Sequence, residues 1–437
     1  MLLFRLSVGE GLMKEFNLLL GAGFSKALAD IPTGQELSRE IFDEFDKSDD
    51  EQERSLVNFN CGSNLISKKS DELLPPNGTF SSSFLSKQTL RRPFQDLAQK
   101  DELIHLLSMI NQTDDEKEEY INKIQNSFRN NFNYEMAAKH LTNIIESAEI
   151  FSINPEKVES LSNILKKIKE KVFLTTTKDP ISWCLNENGK QALEDFIFFL
   201  NYLLDQGYII NIFDLNHDQL IRETIKLANL SEVYQDFFNR NEVFNIYKSD
   251  LKAYKFHKGL PKRRINHYKL HGDFQIIEDY YTGYALLAEF SVTNKYTWSR
   301  ENNTDWWSLL TDSLLFQGEA KANSIFSSLY HSFAFTDFFK AVQSNEPLMI
   351  IGYGAGDSHI NSVLDNRLKN HRGYNCVKSS RNEDKILFSC NEFTETILKQ
   401  VFINLQGDYD PNLFYSRAGF EQGFLPAFRR CLKQYYV

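Results

Sequence analysis

No two cysteines in the chain stand in a C-x-x-C arrangement. The five present, Cys61, Cys184, Cys376, Cys390 and Cys431, are odd in number and scattered, which suits a reducing cytoplasm and supplies no four-thiolate zinc site. A G-x-x-x-x-G-K-[ST] loop is also missing, and this argues against a P-loop nucleotidase. No apolar run approaches the roughly 18 to 20 residues of a membrane span, so a soluble chain with no membrane partner is expected. Positive charge is not in excess either: 49 Lys and Arg face 59 Asp and Glu, a net charge of -10. Phosphate binding leaves a basic footprint, so nucleic acid is expected at most through a partner. The basic stretch "HKGLPKRR", His257 to Arg264, reads as a solvated turn. No Asp, Glu and Lys cluster has the spacing of a nuclease metal site. The leading "MLLFRLSVGEGLM" is broken by Glu10 too early for a secretory signal. Because the first strand begins after Met13, Met1 and Met13 are both candidate starts.

What is present is the composition of a globular protein with a sizeable core. Apolar residues make up 42% and charged residues 25% of 437, with 36 Phe and 19 Tyr. That length allows one large domain with an insertion, or two domains.

The hydrophobic pattern alternates between strands and helices. "FNLLLGAGFSKALADIPTG", Phe16 to Gly34, starts with a strand too apolar for one wet face, then glycines, and a helix follows from about Gln35 to Phe45. The polar "DKSDDEQERS" and the Ser-, Asn- and Pro-rich stretch after it read as a long loop. From Arg91 to about Gly207 apolar residues recur every three or four positions, the period of helices. Tyr208 to Phe213, Leu348 to Ile351 and "KILFSC" read as strands, "INHYKLHGDF" as a strand ending in a Gly turn, the region from Trp298 to Gln343 as helical, and two helices close the chain. The expected fold is α/β: a Rossmann-like, mainly parallel sheet flanked by helices. Residues 14–34 and 208–437 would form this domain and residues 35–207 a large helical insertion, with a flexible loop near 57–90. Ligands of such sheets bind where strand ends feed into helices.

Four stretches at those strand ends carry candidate chemistry. Gly21 and Gly23 lack a Cβ, which lets backbone N–H groups reach a phosphate at a helix start; a tight turn without ligand is the plain alternative. Lys26 occupies the place of the third glycine of G-x-G-x-x-G, so a plain dehydrogenase unit fits poorly. In "DLNHD", Asn216 and Asp218 can hold a ribose hydroxyl and a carboxamide, or simply cap the next helix. In "KLHGDF", His271 can act as a base near neutral pH or be structural. In "IGYGAGDSHIN", Gly352, Gly354 and Gly356 admit close backbone approach, and Asp357 can cap a helix or hold a ribose hydroxyl.

The ordered set GAGFS, L-N-x-D, K-L-H-G and G-Y-G-x-G-D-x-H-I-N resembles the sirtuin-like superfamily, specifically its bacterial branch in antiphage defence systems. The resemblance spans about Asn17 to Asn361. It implies that NAD is bound as substrate, with Gly21, Ala22, Gly23, Phe24 and Ser25 cradling the diphosphate and Pro32 and Thr33 beside it. Asn216 would orient the nicotinamide ribose or the attacking water, Asp218 would hold the nicotinamide carboxamide, and His271 would be the base. Gly352, Tyr353, Gly354 and Asp357 would line the adenosine side.

Two departures narrow the activity that the resemblance implies. Deacetylases of the superfamily carry a zinc module with two C-x-x-C pairs, and a Pro-Asp-Phe-Arg segment where this chain has Pro32, Thr33, Gly34 and Gln35. No zinc is therefore expected, and the defence branch implies an NAD glycohydrolase that uses water and depletes NAD when triggered. Asp214 and Asp273 stand where relatives often have Thr and Ser. Implied partners are a second copy of the chain and a separate defence protein, first a HerA-like ATPase and second a short Argonaute. A non-catalytic NAD or ADP-ribose sensor is the alternative, and a protein deacetylase is the weaker one.

Overall fold

The computed structural model describes residues 14–58, 118–176 with gaps, 187–245, 252–279, 284–289, 310–312, 325–364 with gaps, 386–389 and 415–416. In chain order the strands are β1 (Glu15–Leu20), β2 (Ile209–Asp214), β3 (Tyr234–Gln235), β4 (Phe238–Asn245), β5 (Lys252–Phe256), β6 (Ile265–Lys269), β7 (Ile276–Asp279), β8 (Ala285–Glu289), β9 (Leu310–Asp312), β10 (Leu348–Ile351), β11 (Ile386–Ser389) and β12 (Tyr415–Ser416). The longer helices are α1 (Ala22–Ala29), α2 (Gly34–Asp46), α3 (Glu51–Asn58), α4 (Tyr134–Ile150), α5 (Pro155–Thr176), α6 (Glu187–Asp205), α7 (Leu220–Leu227) and α8 (Leu329–Gln343).

Seven strands pair in parallel in the order β12-β11-β10-β1-β2-β6-β3, the Rossmann-like sheet expected from the sequence. β1 and β2 are buried along five of their six residues, and β6 and β10 along their full length, because helices or a second layer cover both faces. On one face Phe16, Leu18, Leu20, Ile210 and Ile212 pack against Phe24 and Leu28 of α1, Phe196, Phe199 and Leu200 of α6, and Ile221 and Ile225 of α7. On the other, Leu19, Phe213, Tyr268, Leu348 and Ile350 meet Tyr330, Ala334 and Phe338 of α8 and Phe256, Ile276 and Leu287 from a second sheet.

That second sheet is antiparallel, in the order β4-β5-β8-β7-β9, and the sequence reading did not foresee it. Its strands mix charged, polar and apolar residues, and pairing with distant partners such as Tyr254 with Leu287 makes them strands. The expected helix over Trp298 to Gln343 is likewise corrected in part: Leu310–Asp312 pairs with β7, while Leu329–Gln343 is helical.

The parallel sheet carries a polar seam. Asn17, Asn211 and Asn266 stand in register on β1, β2 and β6 and are all buried. The Asn211 amide donates to Asn17 Oδ1 at 2.9 Å, and the Asn266 amide to Asn211 Oδ1 at 3.2 Å. The two bonds satisfy most of this buried amide row, while Asn17 Nδ2, at its β1 end, has no partner among the described residues.

The chain divides into two compact units, one of residues 1–31, 175–315 and 319–437, the other of residues 32–174 and 316–318. The dividing line differs from the expected one. Helix α6, expected in the insertion, belongs with the sheets, because Phe199 packs edge-on to Phe16 and Phe196 to Phe24. The second unit is held by its own contacts: Arg129 pairs bidentately with Asp43 at 2.6 Å, Tyr134 N–H donates to Ser38, and Lys167 pairs with Glu53. Within the segment expected to be loop, residues 51–58 are helical instead, since Asp50 Oδ1 accepts from Gln52 N–H at 2.8 Å and Val57 is buried. The rest of the loop near 57–90, and the two closing helices, lie outside the described residues.

Candidate functional site

Strands β10, β1, β2 and β6 are neighbours, and all four candidate stretches leave their carboxyl ends. The sheet order reverses between β1 and β10, the place where open α/β sheets leave a crevice. The loops there are tied into a ring of contacts. Leu20 passes into Gly21, whose N–H donates to Ile351 O at 2.9 Å, and Gly23 N–H donates to Gly352 O at 2.8 Å. The Asn216 amide donates to Gly21 O at 3.1 Å. Lys269 Nζ donates to Asn216 O at 2.7 Å and to Asp218 O, and His217 Nδ1 lies 3.2 Å from Gly272 O. His271 Nε2 then stands 3.2 Å from His359 Nε2.

The glycines have a packing task here. A Cβ on Gly21 would sit 2.6 Å from Tyr353 Cα, and one on Gly352, where φ is +64°, would sit 2.1 Å from Phe24 N. What comes so close to the first glycine turn is the chain's own backbone after β10, and it takes the N–H groups of Gly21 and Gly23. Helix α1 begins at once, with Gly21 as N-cap; Ala22 is exposed, whereas Phe24 and Ser25 are buried. Gly354 and Gly356 lie outside the described residues. Pro32 and Thr33 belong to the other unit. There Thr33 caps α2, its hydroxyl accepting from Glu36 N–H while Glu36 accepts from Thr33 N–H at 2.8 Å.

Electrostatics separate the two carboxylates of the Asn216 loop. Burial alone pushes the Asp214 carboxyl up, but the Lys269 ammonium at 2.7 Å and the His267 ring outweigh it and hold the group down at about 2. Burial pushes the Asp218 carboxyl up as well; Lys269 and the Ser25 hydroxyl oppose it, Asp214 adds to it, and the net shift is upward. Asp218 Oδ1 also accepts from Leu220 N–H at 2.9 Å, two residues on, so it holds the turn that leads into α7, whose N-cap is Gln219. Two carboxyls with opposite shifts, flanking one amide, give an ionised and a more readily protonated group side by side.

Behind the ring lie two further buried systems. His267 bridges Asp214 at 3.3 Å and the Tyr234 hydroxyl at 2.7 Å, and burial lowers its pKa, which keeps the ring neutral. Arg222 pairs with Asp273 at 2.8 Å and Asp236 at 3.5 Å. Burial acts first on Asp273, upward, yet Arg222 and Lys269 bring it below the usual carboxylate range. Asp214 and Asp273 are thus members of buried ion pairs.

On the fourth loop, the Tyr353 hydroxyl donates to Asn361 Oδ1 at 2.8 Å and accepts from Asp357 N–H at 3.3 Å, fixing the start of the helical stretch 359–364. Asp357 Oδ1 lies 4.0 Å from His271 Nε2. The structure therefore gathers Gly21, Ser25, Asn216, Asp218, His271, Gly352, Tyr353 and Asp357 at one end of the sheet. The sequence reading gave no role to Lys269, His217 or His359. Lys269 closes a strand, Ile-Asn-His-Tyr-Lys, that already mixes polar and apolar residues, so nothing in the local sequence marks its ammonium as buried. No family model matches the chain, and no curated protein matches it.

Proposed function

We propose that the chain is an NAD glycohydrolase of the sirtuin-like type, cleaving NAD to nicotinamide and ADP-ribose. The observation that carries this reading is the convergence of Asn216, Asp218 and His271, with the GAGFS turn, at the carboxyl ends of adjacent parallel strands. The chemistry asks for little more. The N-glycosidic bond breaks through an oxocarbenium-like transition state, so the protein must hold the ribose, exclude bulk water and position one water molecule.

Asn216 is suited to the positioning role. Its Nδ2 is held by Gly21 O and its backbone N–H by Asp214 Oδ1 at 2.9 Å, which fixes the amide plane against the turn. His271 takes the proton from that water or from a ribose hydroxyl. Asp218, with its raised pKa, is the group that pairs with the nicotinamide carboxamide. Ser25, Ala22 and the opening turn of α1 face the diphosphate, and Asp357 with Tyr353 the adenosine side. The backbone N–H groups of Gly21 and Gly23 are engaged by carbonyls, so these glycines serve the site by shaping it.

With this activity goes the defence role that the sequence resemblance implies: an oligomeric, cytoplasmic effector, silent until triggered, that works with a HerA-like ATPase or, second, a short Argonaute. The test is to assay the purified chain with NAD, alone and with the product of its neighbouring gene, following nicotinamide by chromatography and NAD binding by calorimetry. Nicotinamide release supports the reading. Binding with no release in either arrangement moves the chain to the sensor reading.

A further inference from the structure

The fourth loop of the ring suggests a ligand of a different kind. His271 Nε2 and His359 Nε2 are 3.2 Å apart, Asp357 Oδ1 is 4.0 Å from His271 Nε2, and one ligand atom from each residue lies within 4.8 Å of the others. Two nitrogens bound to one tetrahedral zinc, each at about 2.0–2.1 Å, are separated by about 3.3 Å. The two imidazoles already stand at that edge length. The carboxylate oxygen is wider, 4.0 Å from His271 Nε2 and within 4.8 Å of the other two ligand atoms, so the Asp357 side chain has to move inward to complete the site.

The donor set and its support have the same character. Two imidazoles and one carboxylate form a borderline set that suits zinc and its neighbours in the first transition series, and three protein ligands leave one position open. The ligands come from rigid places. His271 follows β6 at a turn where Gly272 has φ of +71°, while Asp357 and His359 flank the helix start fixed by Tyr353 and by Asn361 N–H donating to Asp357 O at 2.9 Å. The His359 ring also rests 5.9 Å from that of Phe335 on α8.

We infer that His271, His359 and Asp357 form a binding site for a single zinc-class divalent cation. Such an ion takes the Nε2 lone pair of His271, which then cannot accept a proton. On the glycohydrolase reading above, and resting on it, the ion is an inhibitor of the enzyme; the binding itself needs no such premise.

The experiment uses the full chain without an affinity tag, stripped of metal, and titrates Co(II) by visible absorption and Zn(II) by calorimetry. One equivalent is expected, with the intense visible bands of four-coordinate Co(II), and binding weaker by at least about tenfold in His359→Ala and in Asp357→Asn. Far-UV circular dichroism and melting show that each variant is folded, and two separate ligands are tested so that failure of one to fold leaves the other. Equal affinity in wild type and both variants places the ion on cysteines or surface groups and overturns the inference, as does the absence of stoichiometric binding, which leaves the two histidines joined by a hydrogen bond only. In a parallel arm, zinc lowers NAD cleavage by the wild type at least tenfold and a chelator restores it. No cleavage under any condition tells against the glycohydrolase, while the titrations still decide the site. Cleavage indifferent to bound zinc removes the inhibitory role.

Discussion

Lys269 Nζ lies 2.7 Å from Asp214 Oδ2, and each side chain is 1% exposed. The same ammonium donates to Asn216 O and Asp218 O, so one buried cation holds the loop that bears the candidate amide. Removing one member of a buried pair leaves the other as an uncompensated charge and costs about 3–5 kcal/mol. Lys269→Met is expected to lower unfolding stability by that amount in urea titrations, and the double change Asp214→Asn with Lys269→Met to recover part of it. An unchanged midpoint in the single variant would show that the pair is not formed.

The two carboxyls of this loop predict opposite pH dependences. Asp214 has a folded pKa of about 2 against an ordinary 3.8. Its contribution to stability is present above the ordinary value and is lost as pH falls from about 4 to about 2. Asp218 is shifted upward from 3.8, so the folded state holds its proton longer, and its contribution falls as pH rises through the shifted value. Asp218→Asn, which keeps an acceptor for Leu220 N–H, should therefore gain stability relative to wild type as pH rises from about 4 towards 8. Paired denaturation curves at the two ends of that range check the sign.

The three glycines Gly21, Gly34 and Gly352 separate by what a methyl group would meet. Gly21→Ala and Gly352→Ala force backbone atoms apart at the β1 and β10 ends and should each cost about 2–3 kcal/mol. Nothing lies within 4 Å of a Cβ on Gly34, at the start of α2, where Ala should gain about 0.5–1 kcal/mol. Thermal melts of the three variants rank them. On the glycohydrolase reading, loss of NAD binding in Gly21→Ala would accordingly report strain as well as ligand contact.

Thr33 makes a capping box with Glu36. Thr33→Ala should cost about 1 kcal/mol, and Thr33→Ser should restore most of it. If Thr33→Ala were neutral for stability, capping would not be the work of this side chain.

The central strands of the parallel sheet were legible because they are almost wholly buried: "NLLL", "IINIF" and "LMII" are mostly apolar runs bounded by turn residues, a signal that local composition carries. Leu348–Ile351 was placed to the residue. The antiparallel sheet was not legible, since strands such as Lys252–Phe256 mix lysines with aromatics and are defined by their partners. Asn216, Asp218 and His271 could be singled out because polar residues at predicted strand ends are conspicuous. The roles of Lys269 and His359 could not, because a buried ammonium and a pair of imidazoles acquire meaning only when the fold brings Asp214 to one and His271 to the other.

The most direct test of the account is nicotinamide and ADP-ribose release from NAD by wild type, Asn216→Ala and His271→Ala, measured side by side, alone and with the product of the neighbouring gene added. The account predicts product from wild type, a loss of about 10²–10⁴-fold in each variant, and retained NAD binding in both. Equal turnover by wild type and the two variants would contradict it.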